Sequence, residues 1–174
     1  MAIGFKSRRS RILTVAVSLA CAATLALLVA SSASAATTLH FFSKQVSSTL
    51  KGPDGQPLSP NATPTVGDSF DSTDLLYVGT HKHHAKTWIA SDHLVCTFTA
   101  LTGPMNGAAT CDGQIAIGGS MLLAENAKLI FSNSPTVVVP ITGGTGKFRG
   151  ARGHVKSTNI GNTNNSDITI TFTG

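Results

Sequence analysis

The most constraining feature of this chain is a pair of alternating runs on either side of a turn. Leu94, Cys96 and Phe98 alternate with Val95, Thr97 and Thr99, and the turn residues Gly103-Pro104 and Asn106-Gly107 follow. Beyond them Cys111, Ile115 and Ile117 are set against Asp112, Gln114 and Ala116. A period of two marks a strand with one buried face. Two strands folded about that turn bring Cys96 and Cys111 together on the shared apolar face, so a disulfide is expected between them. It would close a loop of about 15 residues, a size worth about 3 kcal/mol.

The compartment follows from the start of the chain. Residues 1–35 have the form of a secretory signal: a basic stretch to Arg11, an uncharged apolar run from Ile12 to Ala30, and the small-residue pattern Ala33-Ser34-Ala35, with Ala36 as the new N-terminus. An uncleaved anchor is the alternative, because the apolar run is nearly long enough to span a bilayer. Ser7-Arg8-Arg9 resembles the start of a twin-arginine signal, but the rest of that pattern is weak and general secretion leads. Cys21 departs with the leader and leaves two cysteines, which in an exported chain pair with each other rather than ligate a metal. A secreted or cell-envelope protein is expected.

The net charge of +5 belongs mostly to the leader. Lys6, Arg8, Arg9 and Arg11 lie there without an acid, and the remainder carries nine basic and eight acidic side chains. A nucleic-acid-binding surface is therefore not indicated. Charged residues are 12% of the chain and Gly, Thr, Ser and Asn abound, which suits an all-β extracellular domain rather than a helical bundle. After the leader, residues 36–65 contain a first strand near Leu39–Val46 and a Pro/Gly/Asn-rich connection over 51–67. Residues 66–174 form the core, with strands expected at 69–78, 86–91, 93–100, 109–117, 120–131, 136–142, 147–157 and 167–173. Residues 121–129 also have helical propensity, and composition alone leaves helix and strand even there.

Ile141-Thr142-Gly143-Gly144-Thr145-Gly146-Lys147-Phe148-Arg149-Gly150-Ala151-Arg152-Gly153 closely resembles the glycine-rich signature of dirigent proteins, which plant allene oxide cyclases carry in a looser form. Val66-Gly67-Asp68 and Thr73-Asp74-Leu75-Leu76-Tyr77-Val78-Gly79 look like the opening of the core in these families, and the cysteine pair falls where short exported bacterial members have one. The resemblance covers about residues 66–158. It implies an eight-stranded antiparallel β-barrel with a central cavity, and it turns 120–131 to strand. It also implies a homo-oligomer, a trimer or dimer, and a small hydrophobic ligand that is bound and oriented, with a cofactor-free cyclisation or isomerisation as the reaction. A non-catalytic binding or envelope barrel is the alternative. The acids of dirigent proteins do not carry over: Ser43 stands at one such position and Val138 at the other.

Strand parity supplies candidate catalytic residues. With Phe148 pointing inward, Arg152 and His154 point inward too, barring a bulge at a glycine. Glu125, the chain's only glutamate, shares a face with Met121, Leu123, Ala127, Leu129 and Phe131. A carboxylate among those neighbours needs a cation or a raised pKa, so Glu125, Arg152 and His154 form a candidate cavity group. A structural ion pair, or a one-residue slip that turns Glu125 to solvent, is the competing reading. Tyr77, Trp88 and Phe148 are candidate ligand contacts, the first two able equally to pack a sheet face. His81-Lys82-His83-His84, with His93 nearby, reads as a solvated loop, and no metal or other cofactor is assigned.

Overall fold

The computed structural model describes residues 35–103, 106–132 and 134–174. All but Ala35 of the expected leader lies outside them. The described chain is antiparallel sheet almost throughout: β1 (Thr37–Lys51), β2 (Ser69–Thr80), β3 (His83–His84), β4 (Ala90–Gly103), β5 (Asn106–Ile117), β6 (Ser120–Phe131), β7 (Thr136–Ile141), β8 (Gly143–Gly144), β9 (Arg152–Asn159) and β10 (Ser166–Thr173). Hydrogen-bonded neighbours run β7-β9-β10-β1-β2-β4-β5-β6-β8, with the short β3 on β2. Eight strands are long, as the resemblance implies; the ninth in the path is the two-residue β8.

The sheet closes through one segment. β7 pairs with β9, and after Thr142, whose N–H donates to the Leu123 carbonyl at 2.9 Å, the chain continues as β8 against Leu122 and Leu123 of β6. Residues 136–144 thus bond to β9 at their start and to β6 at their end, which turns a sheet into a barrel. The alternation in β10 shows the resulting two-sidedness: Ile168, Ile170 and Phe172 are buried while the threonines between them face out.

β6 is strand despite its helical propensity. Ser120, Leu122 and Ala124 are buried alternately, and pairing with β5 and β8 on either side overrides a weak local preference. A bulge follows. Ala124 sits opposite Gly113 and Ala127 opposite Cys111, so Glu125 and Asn126 (φ 51°) together face the single Asp112, and the inward set becomes Ala127, Leu129 and Phe131.

Three of the expected strands differ in the structure. Residues 86–91 and 93–100 do not make separate strands: β4 runs unbroken from Ala90, and 85–89 is a loop held by Ala85 N–H to the Val78 carbonyl and Ile89 N–H to the Leu76 carbonyl. Residues 147–157 are not one strand either, since Gly146–Phe148 form a 3₁₀ turn and β9 begins only at Arg152. The glycines of the signature build that turn. A Cβ on Gly144 would collide with the Phe148 carbonyl, and one on Gly146 (φ 56°) with the Ser120 hydroxyl.

The interior has two parts. Phe41, Leu76, Ala90, Ile117, Leu122, Phe148, Ile170 and Phe172 pack one end solid. Toward the other end Cys96, Cys111, Ala109 and Leu129 form a second cluster with Leu94, Phe98, Phe131, Val137 and Val139 against it. The Cys96–Cys111 disulfide is formed, its cysteines directly opposed on β4 and β5 and its sulfurs 2.11 Å apart.

Candidate functional site

Above the packed end the barrel holds a cavity of about 500 Å³. Leu94, Cys96, Phe98, Ile115, Leu129, Phe131, Val137 and Val139 from β4–β7 make its apolar wall. Gln45, Ser72, Asp74, Asp92, Ser157 and Ser166 make the polar wall, and Thr163 and Asn164 of the β9–β10 loop stand at the mouth. Gln45 N–H donates to Asn165 Oδ1 at 3.4 Å, which ties that loop to β1. Phe98 meets Phe131 edge to face across the apolar side, centroids 5.6 Å apart.

The chemistry lies where the cavity meets the packed end. Asp74 of β2 and Asp92 of β4 are register partners, both on the inward parity of their strands. Ser43 of β1, fully buried, donates its hydroxyl to Asp74 Oδ2 at 2.6 Å. Asp74 Oδ1 is buried and, among the described residues, has no hydrogen-bond partner. Burial pushes the Asp74 carboxyl up, against the opposing pull of the Ser43 hydroxyl. Burial likewise lifts Asp92, and the neighbouring Asp74 charge adds to it; the Asp74 N–H offsets this in part, and the result is pushed up to about 7. Two opposed residues in a sheet have Cβ atoms about 5 Å apart, so the carboxyls cannot both ionise cheaply. The pair therefore gains or loses a proton near neutral pH, with an unpartnered oxygen ready for a ligand donor.

The sequence-derived candidates go elsewhere. Glu125 is exposed at the bulge, which inverts the parity that had placed it inside; its N–H donates to the Thr142 hydroxyl oxygen at 2.8 Å. Arg152 and His154 are exposed on the outer face of β9, because the 3₁₀ turn and Gly150 (φ 82°) break the parity count from Phe148. The structure does not bring these three together in the cavity. Phe148 is buried in the packed end, edge to face with Phe172. Tyr77 is on the outer face against Phe42 and His84, and Trp88 is half exposed on the β3–β4 loop. The histidines diverge: His81 Nδ1 pairs with Asp167, His84 stacks on Phe42, and His93 contacts Thr73 and Asp71. Among the described residues no group of three His, Cys, Asp or Glu side chains could hold a metal ion.

Ser43 and Val138 take opposite fates. Ser43 faces in and serves an acid on the next strand, while Val138 is exposed on the outside. The parity that sequence reasoning applied to Cys96 also points Asp92 inward, four residues earlier on the same face; that signal was present and unused.

Solved structures share this architecture. One described as pyocyanin demethylase is similar with a TM-score of 0.59 and 21% identity, over 79% of this chain and all of that one. Two pterocarpan synthase dirigent proteins are similar with TM-scores of 0.46 and 0.49, at 18% and 15% identity, over 82% and 80% of this chain and 85% and 94% of theirs. No family model and no curated protein matches the chain. The fold, shared with the first of these, is an antiparallel β-barrel.

Proposed function

We propose that this barrel is exported, binds a small and mainly apolar molecule in its cavity, and exchanges a proton with it through Asp92 and Asp74. The observation that carries the reading is the acid pair at the foot of an otherwise apolar cavity, with Asp92 titrating near neutrality. In this reading Asp92 is the general acid or base and Asp74, held by Ser43, is its electrostatic partner. Phe98 and Phe131 orient the ligand's flat or aliphatic face. A correctly placed acid contributes on the order of 10²–10⁴-fold, and holding a reactive conformer away from water adds to that. Such a site suits an isomerisation or cyclisation that needs one proton moved and no cofactor.

The test pairs binding with turnover. Exported protein, expected to begin at Ala36, is screened by native mass spectrometry against small aromatic and isoprenoid compounds. Pyocyanin belongs among the first, because a protein of similar fold is described as pyocyanin demethylase. Asp92→Asn is expected to keep binding and lose conversion. Conversion at the wild-type rate would remove the proton role, and failure of every compound to bind would leave the non-catalytic envelope barrel as the better account.

A further inference from the structure

We propose a second binding site, separate from the cavity: the outer face of β9 and the turn before it bind a linear anionic polysaccharide. Between Glu125 and Asp167 the chain has no acid, yet it has Lys128, Lys147, Arg149, Arg152, Lys156 and His154. The fold puts three of them on one strand. Arg152, His154 and Lys156 alternate along β9 with Gly153 and Val155, so their side chains leave the same face about 6.6 Å apart, and all three are exposed. Lys147 and Arg149, in the turn that precedes β9, are exposed as well, with the Lys147 ammonium over the Phe148 ring.

The residues opposite this row on the flanking strands carry no charge. Thr173, Thr171 and Thr169 of β10 lie opposite Arg152, His154 and Lys156, and Pro140 and Val138 of β7 lie opposite His154 and Lys156. Asp167, the acid on β10, is taken by the N–H and ring of His81. Among the described residues no Asp or Glu side chain forms an ion pair with any of the five basic groups: the pairs formed are Lys51–Asp71, His81–Asp167 and His93–Asp71. Acids collect on other walls, with Asp71 on β2, Asp112 on β5 and Glu125 at the β6 bulge. A balanced total charge therefore hides a segregated one.

The occupant follows from what the face offers. It presents spaced cations beside threonine hydroxyls on a flat strand surface, which fits a sugar chain carrying regular carboxylates or sulfates among hydroxyls. The outward positions of β7, β9 and β10 include no Phe, Tyr or Trp, so unpaired bases have nothing to stack on.

Heparin octasaccharide is the probe, titrated into the full protein at low salt. Binding is expected, and Arg149→Gln/Arg152→Gln/Lys156→Gln should weaken it at least tenfold while Lys128→Gln leaves it unchanged. Raising the salt about fourfold should also weaken wild-type binding, because counterions compete for the same cations. Circular dichroism and the intact disulfide mass confirm that each variant is folded. The proposal is overturned by an unchanged affinity in the triple variant, by no binding at low salt, or by duplex DNA of equal charge binding as tightly. It is equally overturned if the triple substitution only disperses an oligomer of this chain and heparin never binds.

Discussion

Asp74 and Asp92 face each other across β2 and β4, and only one of them has a side-chain hydroxyl to lean on. Ser43 donates a hydrogen bond to Asp74 at 2.6 Å, which favours the ionised form there, and Asp92 is the carboxyl pushed up to about 7. An asymmetric pair of this kind separates the roles of acid and partner without a metal or a histidine.

The first prediction concerns stability against pH. Asp92 rises from an ordinary 3.8 to about 7 on folding, so between those values the native state holds a proton that the unfolded chain has released. Stability therefore falls as pH rises through that window, by at most ~4 kcal/mol. Denaturant unfolding at closely spaced pH values should show the decline in wild type and a flatter profile in Asp92→Asn.

Ser43→Ala is expected to act on Asp74. Loss of a hydrogen bond to a charged group costs ~2 kcal/mol at neutral pH, and the Asp74 carboxyl should titrate higher still. Carboxyl carbon NMR across a pH series reads the titration, and urea unfolding reads the cost.

Glu125→Gln and Asp92→Asn should behave differently. Glu125 is exposed at the bulge, so its neutralisation should leave ligand affinity and conversion unchanged, whereas Asp92→Asn removes conversion. Equal losses in both would return Glu125 to the site.

The glycines of the signature should not be equivalent. Gly144→Ala places a methyl group on the Phe148 carbonyl, whereas at Gly150 nothing lies within 4 Å and only the positive φ opposes a side chain. Gly144→Ala should cost several kcal/mol and Gly150→Ala about 1 kcal/mol, measured as shifts in melting temperature.

Cys96→Ser/Cys111→Ser should lower stability by about 3 kcal/mol through the released loop. It should also loosen the cavity wall, because Cys96 lines it and Cys111 is fully buried behind it. A melting curve and ligand titration on the same sample separate the two effects.

Much of the barrel was legible because its strands obey a period of two. The Cys96 and Cys111 runs fixed a hairpin and a disulfide, and the Ile168-Ile170-Phe172 run fixed the last strand. The catalytic trio failed for one physical reason applied twice. Parity was carried across breaks, at Glu125–Asn126 where two residues face one, and at Gly146–Gly150 where positive φ lets the chain turn. Asp74 and Asp92 were missed because their strands look ordinary; an inward acid is visible only once the inward side is known for both strands. The basic row on β9 was hidden by summing charge over the chain, since Asp71, Asp112 and Glu125 cancel it arithmetically from other walls.

The solid packing of Phe41, Leu76, Phe148 and Phe172 makes the barrel a sac with one mouth. In the proposed reading, a molecule that enters past Thr163 and Asn164 has the packed cluster ahead of it and the acid pair beside that cluster. Under that reading, order of entry would decide which end of a compound reaches Asp92, and a product would leave by the route its precursor took.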